Sequence, residues 1–126
     1  MKSAKLIALG TALVVSLAAS SAMAAGDVKK GQKVFKKCKA CHTVKEGGKN
    51  KVGPNLFGIY GKEAAKVDGF KYSKAMKGGG LTWDEATLDG FLKKPKKYLK
   101  GTKRSFAGLR KEKDRKNVIA YLETLK

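Results

Sequence analysis

The stretch Cys38-Lys39-Ala40-Cys41-His42 decides how the rest of the chain is read. Two thiols with two residues between them lie about one helical turn apart, where both can add across the two vinyl groups of one haem. The imidazole that follows at once then sits beneath the iron as proximal ligand, so Cys38, Cys41 and His42 form an attachment set for one covalent haem c. Two other readings compete: a redox-active thiol pair, and a chance spacing ahead of an incidental His. Thioredoxin-like thiol chemistry belongs in a β-α-β context, and no run of alternating strand residues occurs in this sequence. The two Cys also exclude a disulfide-dense scaffold, and with one His they fall short of the roughly four soft ligands of a closed zinc site.

Upstream of the motif, Asp27 is placed to cap a helix in which Val28, Gly31, Val34, Phe35 and Cys38 recur near one face. A glycine in that face costs helix stability and signals the close approach of another backbone. Downstream, residues 45–80 are glycine-rich and irregular, with short helical turns expected only around 55–59 and 73–77. Thr82-Trp83-Asp84-Glu85 reads as a capping box in which Thr82 and Glu85 serve each other's backbone donors. Leu88, Phe91 and Leu92 follow on one face, and Pro95 stops the helix. A last helix, from 112 or 114 to 126, carries Val118, Ile119, Tyr121, Leu122 and Leu125 as an apolar stripe. The expected fold is all-α, with three main helices and long loops. So much irregular backbone has difficulty building a core from side chains alone, and a large buried apolar cofactor removes the difficulty.

A chain of 126 residues supports one small domain. Its first residues read as a secretory leader: Lys2 and Lys5, an apolar run over 6–18, then Ala22-Met23-Ala24 with small residues where a signal peptidase looks. The apolar run is short of the about 20 residues that span a bilayer. Cleavage after Ala24 is expected, so 1–24 is a leader and 25–126 the mature domain, exported to an oxidising compartment. Lys and Arg number 29 against 10 Asp and Glu, a formal charge of +19 from which the leader removes two lysines. That excess speaks of partners and encounter rates, not of fold. No nucleic-acid motif is present, which leaves acidic proteins, an anionic membrane surface, or a lysine surface that merely confers solubility.

The mature chain resembles a class I cytochrome c, in particular the bacterial cytochrome c2 branch that shares its pattern with mitochondrial cytochrome c. Gly31 and Phe35, the Cys38-Cys41-His42 motif, Gly53-Pro54-Asn55-Leu56 and Gly69-Phe70-Lys71-Tyr72-Ser73 match in order. So do Gly80-Leu81-Thr82-Trp83, Pro95-Lys96-Lys97-Tyr98, Gly101-Thr102-Lys103, Phe106-Ala107-Gly108 and Ile119-Ala120-Tyr121-Leu122. The resemblance implies crossing N- and C-terminal helices, a middle helix and loops wrapped around the haem. It implies that the Pro54 carbonyl holds His42, that Tyr72 and Trp83 hydrogen-bond a haem propionate, and that Phe91 and Phe106 border the haem. Plain core packing competes for each of these aromatics. A periplasmic monomer that exchanges electrons with acidic oxidases, reductases or reaction-centre complexes is the implied function, with Lys36, Lys37, Lys96, Lys97 and Lys103 as its docking face.

One departure from that pattern matters most. The family reads P-G-T-K-M-x-F where this chain has Lys100-Gly101-Thr102-Lys103-Arg104-Ser105-Phe106, so Arg104 stands at the position of the axial Met and Lys100 at that of Pro. Arginine keeps its proton and offers iron no lone pair. Met76, the one Met left after the leader, aligns away from the ligand position, and no Met ligation is expected. Phe91 stands where the family commonly has a Tyr that bonds the Met sulfur. Lys103, Lys100 or, after loop movement, Lys97 are candidate sixth ligands. Otherwise the position is open or holds water, with Arg104 either hydrogen-bonding a ligand or turned to solvent. Loss of the thioether lowers the expected potential. The alternative function is a haem protein that binds nitric oxide, carbon monoxide or peroxide; a dedicated peroxidase normally has a distal His, and the sequence supplies no second His.

Overall fold

The computed structural model describes Gly10, residues 26–102 and residues 105–126. The rest of the leader, Ala25, Lys103 and Arg104 lie outside these. Among the described residues are five helices: α1 (Val28–Phe35), α2 (Lys74–Gly78), α3 (Glu85–Lys93), α4 (Pro95–Tyr98) and α5 (Glu112–Glu123). No strand forms among them, only an isolated bridge between Glu63 and Thr82.

α1 and α5 cross, and the crossing is built around one missing side chain. The Asp27 carboxylate caps α1 by accepting the Lys30 N–H at 2.9 Å, while the Asp27 N–H donates to Asn117 Oδ1 at 2.8 Å. A Cβ on Gly31 would run into the Asn117 carbonyl and lie 2.8 Å from the Tyr121 Cβ, so only glycine allows this approach. One turn on, the fully buried Phe35 ring packs on Tyr121 with centroids 5.4 Å apart. The inward stripe of α5 is Val118, Ile119, Tyr121 and Leu122, joined by a buried cation, Arg115. Its Nε donates to Asp89 at 2.7 Å and its Nη1 to the Leu109 and Arg110 carbonyls at 2.9 Å each, which ties α5, α3 and the loop between them together.

The helix α3 starts differently from the sequence expectation. Asp84, not Thr82, is the N-cap: it accepts the Thr87 N–H at 2.8 Å, and Thr87 Oγ1 accepts the Asp84 N–H at 2.9 Å. The reason lies in the preceding backbone. Ala64 N–H bonds the Leu81 carbonyl at 2.8 Å, Trp83 N–H that of Lys62 at 2.8 Å, and Gly61 N–H that of Trp83 at 2.6 Å. Residues 81–83 are thereby held extended, and the helix cannot begin before Asp84. Pro95 ends α3 and at once opens α4 at a position where its missing N–H is harmless. The Tyr98 ring then folds back over Gly90, where a Cβ would lie 2.8 Å from Tyr98 Cδ2. Of the two short turns expected in the long loop, 73–77 becomes α2 with Ser73 as its cap, whereas 55–59 makes only a turn.

Candidate haem-binding site

The centre of the molecule is a cavity of about 460 Å³, within the range of cofactor pockets. Phe35, Ile59, Trp83, Leu88, Val118 and Leu122 belong both to the buried core and to its walls, so the core is wrapped around a space. Cys38, Cys41, His42, Pro54, Tyr72, Trp83, Phe91 and Phe106, singled out from the sequence, all line it.

One wall carries the attachment motif. After α1 the chain continues in a tight turn, with His42 N–H bonded to the Cys38 carbonyl at 2.9 Å and Cys41 N–H to the same oxygen at 3.1 Å. Both thiols therefore stay on the cavity side. Burial pushes the Cys38 thiol above its ordinary pKa, helped by Cys41 and opposed by Lys37. The His42 ring is gripped from behind. Its Nδ1–H donates to the Pro54 carbonyl at 2.7 Å, and Gly53 lies so close that an added Cβ would be 2.7 Å from both ring nitrogens. A proton on Nδ1 puts the ring's lone pair on Nε2, the tautomer a metal ligand requires.

Asn55 supports this grip, a role that the sequence reading did not assign. Its side-chain amide donates to Thr43 Oγ1 at 2.7 Å and the Lys45 carbonyl at 2.8 Å, and its Oδ1 accepts the Phe57 N–H at 2.9 Å. The Asn55 N–H is itself taken by Asn50 Oδ1 at 2.9 Å. With the Gly53 N–H donating to the Cys41 carbonyl at 2.8 Å, Pro54 is anchored from both sides. Asparagine directly after Gly-Pro, a residue that readily bonds nearby backbone, was the available signal.

The remaining walls come from all five helices and the loops around them. Trp83 is buried and meets Phe91 edge to face at 5.2 Å. Tyr72 stacks edge-on to Phe70 at 4.8 Å, and its hydroxyl accepts the Val67 N–H at 3.1 Å, which keeps its own proton available to donate. Burial raises the Tyr72 pKa, so that proton stays in place at neutral pH. Met76 and Thr102, to which the sequence reading gave no place at the cofactor, also line the cavity. The fit to one haem is good: a largely apolar lining, two thiols and an oriented imidazole, with Lys71, Tyr72 and Ser73 supplying polar groups.

Comparison with known proteins agrees with this geometry. A family model described as Cytochrome c matches residues 28–126. The chain is 51% identical over 124 residues to cytochrome c2 of Rhodomicrobium vannielii, covering 98% of this chain and 97% of that protein. It is 48% identical over 122 residues to cytochrome c-554 of Methylosinus trichosporium, covering 97% and 92% respectively. Among solved structures, cytochrome cH from Methylobacterium extorquens superposes with a TM-score of 0.74 at 46% identity, over 79% of this chain and 99% of that one. An all-helical fold whose core encloses a Cys-x-x-Cys-His cavity, matched along nearly its whole length, places the chain in the cytochrome c family, electron-transfer proteins with one covalently bound haem c.

Proposed function

We propose that the protein is an exported mono-haem electron carrier whose distal ligand is not the family's usual Met. The observation that carries this reading is the cavity itself, with His42 clamped between Gly53 and Pro54 and both thiols at its edge. When bound, the haem supplies a one-electron iron couple. Cys38 and Cys41 would tether it covalently and His42 Nε2 would supply a nitrogen ligand to its iron. The Pro54 carbonyl, by accepting the Nδ1 proton, fixes the ring plane and strengthens the donor nitrogen. Tyr72 and Trp83 would hydrogen-bond its propionates, while Phe91 and Phe106, which also line the cavity, would keep water from it. A rigid, dry surround lets the charge on the iron change with little rearrangement, as fast electron exchange needs.

At position 104 a guanidinium replaces the family's sulfur, and Lys103 and Lys100 are the nearest amines by sequence. Lys36, Lys37, Lys96 and Lys97, all exposed, form a docking face toward acidic redox partners or an anionic leaflet, with encounters that weaken as salt rises. Export to the periplasm after cleavage at Ala24 is supported by the leader pattern, and among the described residues no helix is long and apolar enough to cross a membrane. The mature domain acts as a monomer.

The test is voltammetry of the haem-loaded protein together with stopped-flow oxidation by an acidic redox protein. A reversible one-electron wave and a rate that falls steeply with ionic strength are expected. Protein that shows no reversible couple and exchanges no electrons with small mediators would overturn the reading.

A further inference from the structure

The peptide unit between Pro54 and Asn55 is hydrogen-bonded at both of its ends. Its carbonyl accepts the His42 Nδ1–H at 2.7 Å, and its N–H, that of Asn55, donates to Asn50 Oδ1 at 2.9 Å. The Asn50 amide continues in the same sense, donating from Nδ2 to the Asp68 carbonyl at 2.9 Å. That carbonyl belongs to a turn in which Gly69 has a φ of +75°, and even a Cβ on Gly69 would stand 3.8 Å from Asn50 Nδ2, so the amide seats against the turn without crowding. From the imidazole outward, three N–H groups in series each donate to a carbonyl oxygen, all pointing away from the ring. The Asn55 side chain does something different: it bonds Thr43 Oγ1 and the Lys45 carbonyl, and so sets where the peptide lies.

We infer that Asn50 is a positioning residue for the iron couple: by polarising the Pro54–Asn55 peptide it draws on the His42 Nδ1 proton and lowers the potential of the bound haem. The inference rests on the proposed role of His42 as iron ligand. An amide whose N–H is engaged by an acceptor carries more negative charge on its oxygen, and hydrogen bonds in series strengthen one another. Asn50 therefore raises the acceptor strength of the Pro54 carbonyl from the far side of the peptide, without touching the ring. A stronger acceptor gives the imidazole more anionic character and makes Nε2 a better donor, which favours ferric over ferrous iron. The uniform direction of the three bonds carries the argument, since a mere latch between the two loops needs none.

The experiment uses the full haem-loaded protein, with voltammetry for the potential and NMR of isotopically labelled histidine for the Nδ1–H bond. The chain has one His, so the labelled signal belongs to His42 alone. Asn50→Leu keeps the bulk and removes both hydrogen bonds. Its potential should rise by about a threefold change in the redox equilibrium, about 28 mV at about 59 mV per tenfold for one electron, with the Nδ1–H resonance moving upfield as its bond weakens. Asn50→Asp keeps an acceptor for the Asn55 N–H and makes it anionic, so the potential should fall and the resonance move downfield. Should Asn50→Leu not load haem, Asn50→Asp decides alone, because the bare field of its charge shifts the potential and leaves the resonance in place. Gly31→Ala, which loosens the α1–α5 crossing, controls for lost stability and should change neither reading. A resonance unmoved in both Asn50 variants, or a potential in Asn50→Leu no higher than in Gly31→Ala, overturns the inference. A reversible couple retained under that result leaves the carrier reading standing, whereas loss of the couple in the unmodified protein refutes the carrier instead.

Discussion

Replacing Gly53 by Ala drives a methyl group into the ring that ligates the iron. The new carbon would run into His42 Cε1 and lie 2.7 Å from both ring nitrogens, against the about 3.5 Å of an ordinary non-bonded contact, so the ring must shift by more than about 0.8 Å. Its bond to the Pro54 carbonyl, now 2.7 Å, cannot survive a shift of that size in the wrong direction. Loss of one hydrogen bond at about 1 kcal/mol and overpacking at about 1–3 kcal/mol together cost about 2–4 kcal/mol. Urea unfolding of the haem-loaded protein measures this, and the ferric spectrum reports in parallel on the His42 bond. Gly78→Ala is the control, because no atom lies within 4 Å of a Cβ placed there. Should Gly53→Ala unfold at the same urea concentration as Gly78→Ala, with an unchanged ferric spectrum, the clamp on His42 has no mechanical role and the reasoning is refuted.

Gly31→Ala should cost about 1–3 kcal/mol by wedging α1 from the Asn117 carbonyl, yet leave the ferric spectrum unaltered; unfolding and absorbance on one sample check both halves. Arg115→Met should destabilise by about 3 kcal/mol, since it strands the Leu109 and Arg110 carbonyls and leaves Asp89 unpaired, and hydrogen exchange should show the 109–110 segment opening first. The Asp84 carboxyl is held below its ordinary 3.8 by the Thr87 N–H and hydroxyl, and that of Asp27 chiefly by the Lys30 N–H. A lowered folded value means stability that is complete above the ordinary carboxylate range and is lost as pH falls through the folded pKa. Asp84→Asn should therefore show a shallower loss of melting temperature at acid pH than the unmodified protein, and parallel curves would exclude the cap as a contributor.

Much of this architecture was legible in the sequence because its decisive residues act locally. The Cys38–His42 spacing, the cap at Asp27 and the Pro95 stop each work within one turn of chain. Gly31 announced a helix crossing because a glycine on an apolar face has few other uses. The start of α3 was misplaced by two residues for the opposite reason: what holds residues 81–83 extended is the segment 61–64, about twenty residues away in sequence. Met76 shows the same limit. Its place in the cavity lining depends on α2 lying against Gly101, and no periodicity within a five-residue helix carries that information. Asn55 lay inside a recognised motif, but its partners at 43, 45 and 57 are set by loop closure.

The shared membership of Phe35, Trp83, Val118 and Leu122 in core and cavity wall has a consequence for how the molecule withstands fluctuation. A ligand held only by contacts stabilises its host in proportion to its free concentration, and a dilute compartment drains it away each time the walls part. A ligand tethered by two thioethers stays at a fixed local concentration however dilute the protein becomes. The loops over the cavity can then open and reclose many times without emptying it, and a chain with so little regular structure avoids the irreversible step that would otherwise follow each opening.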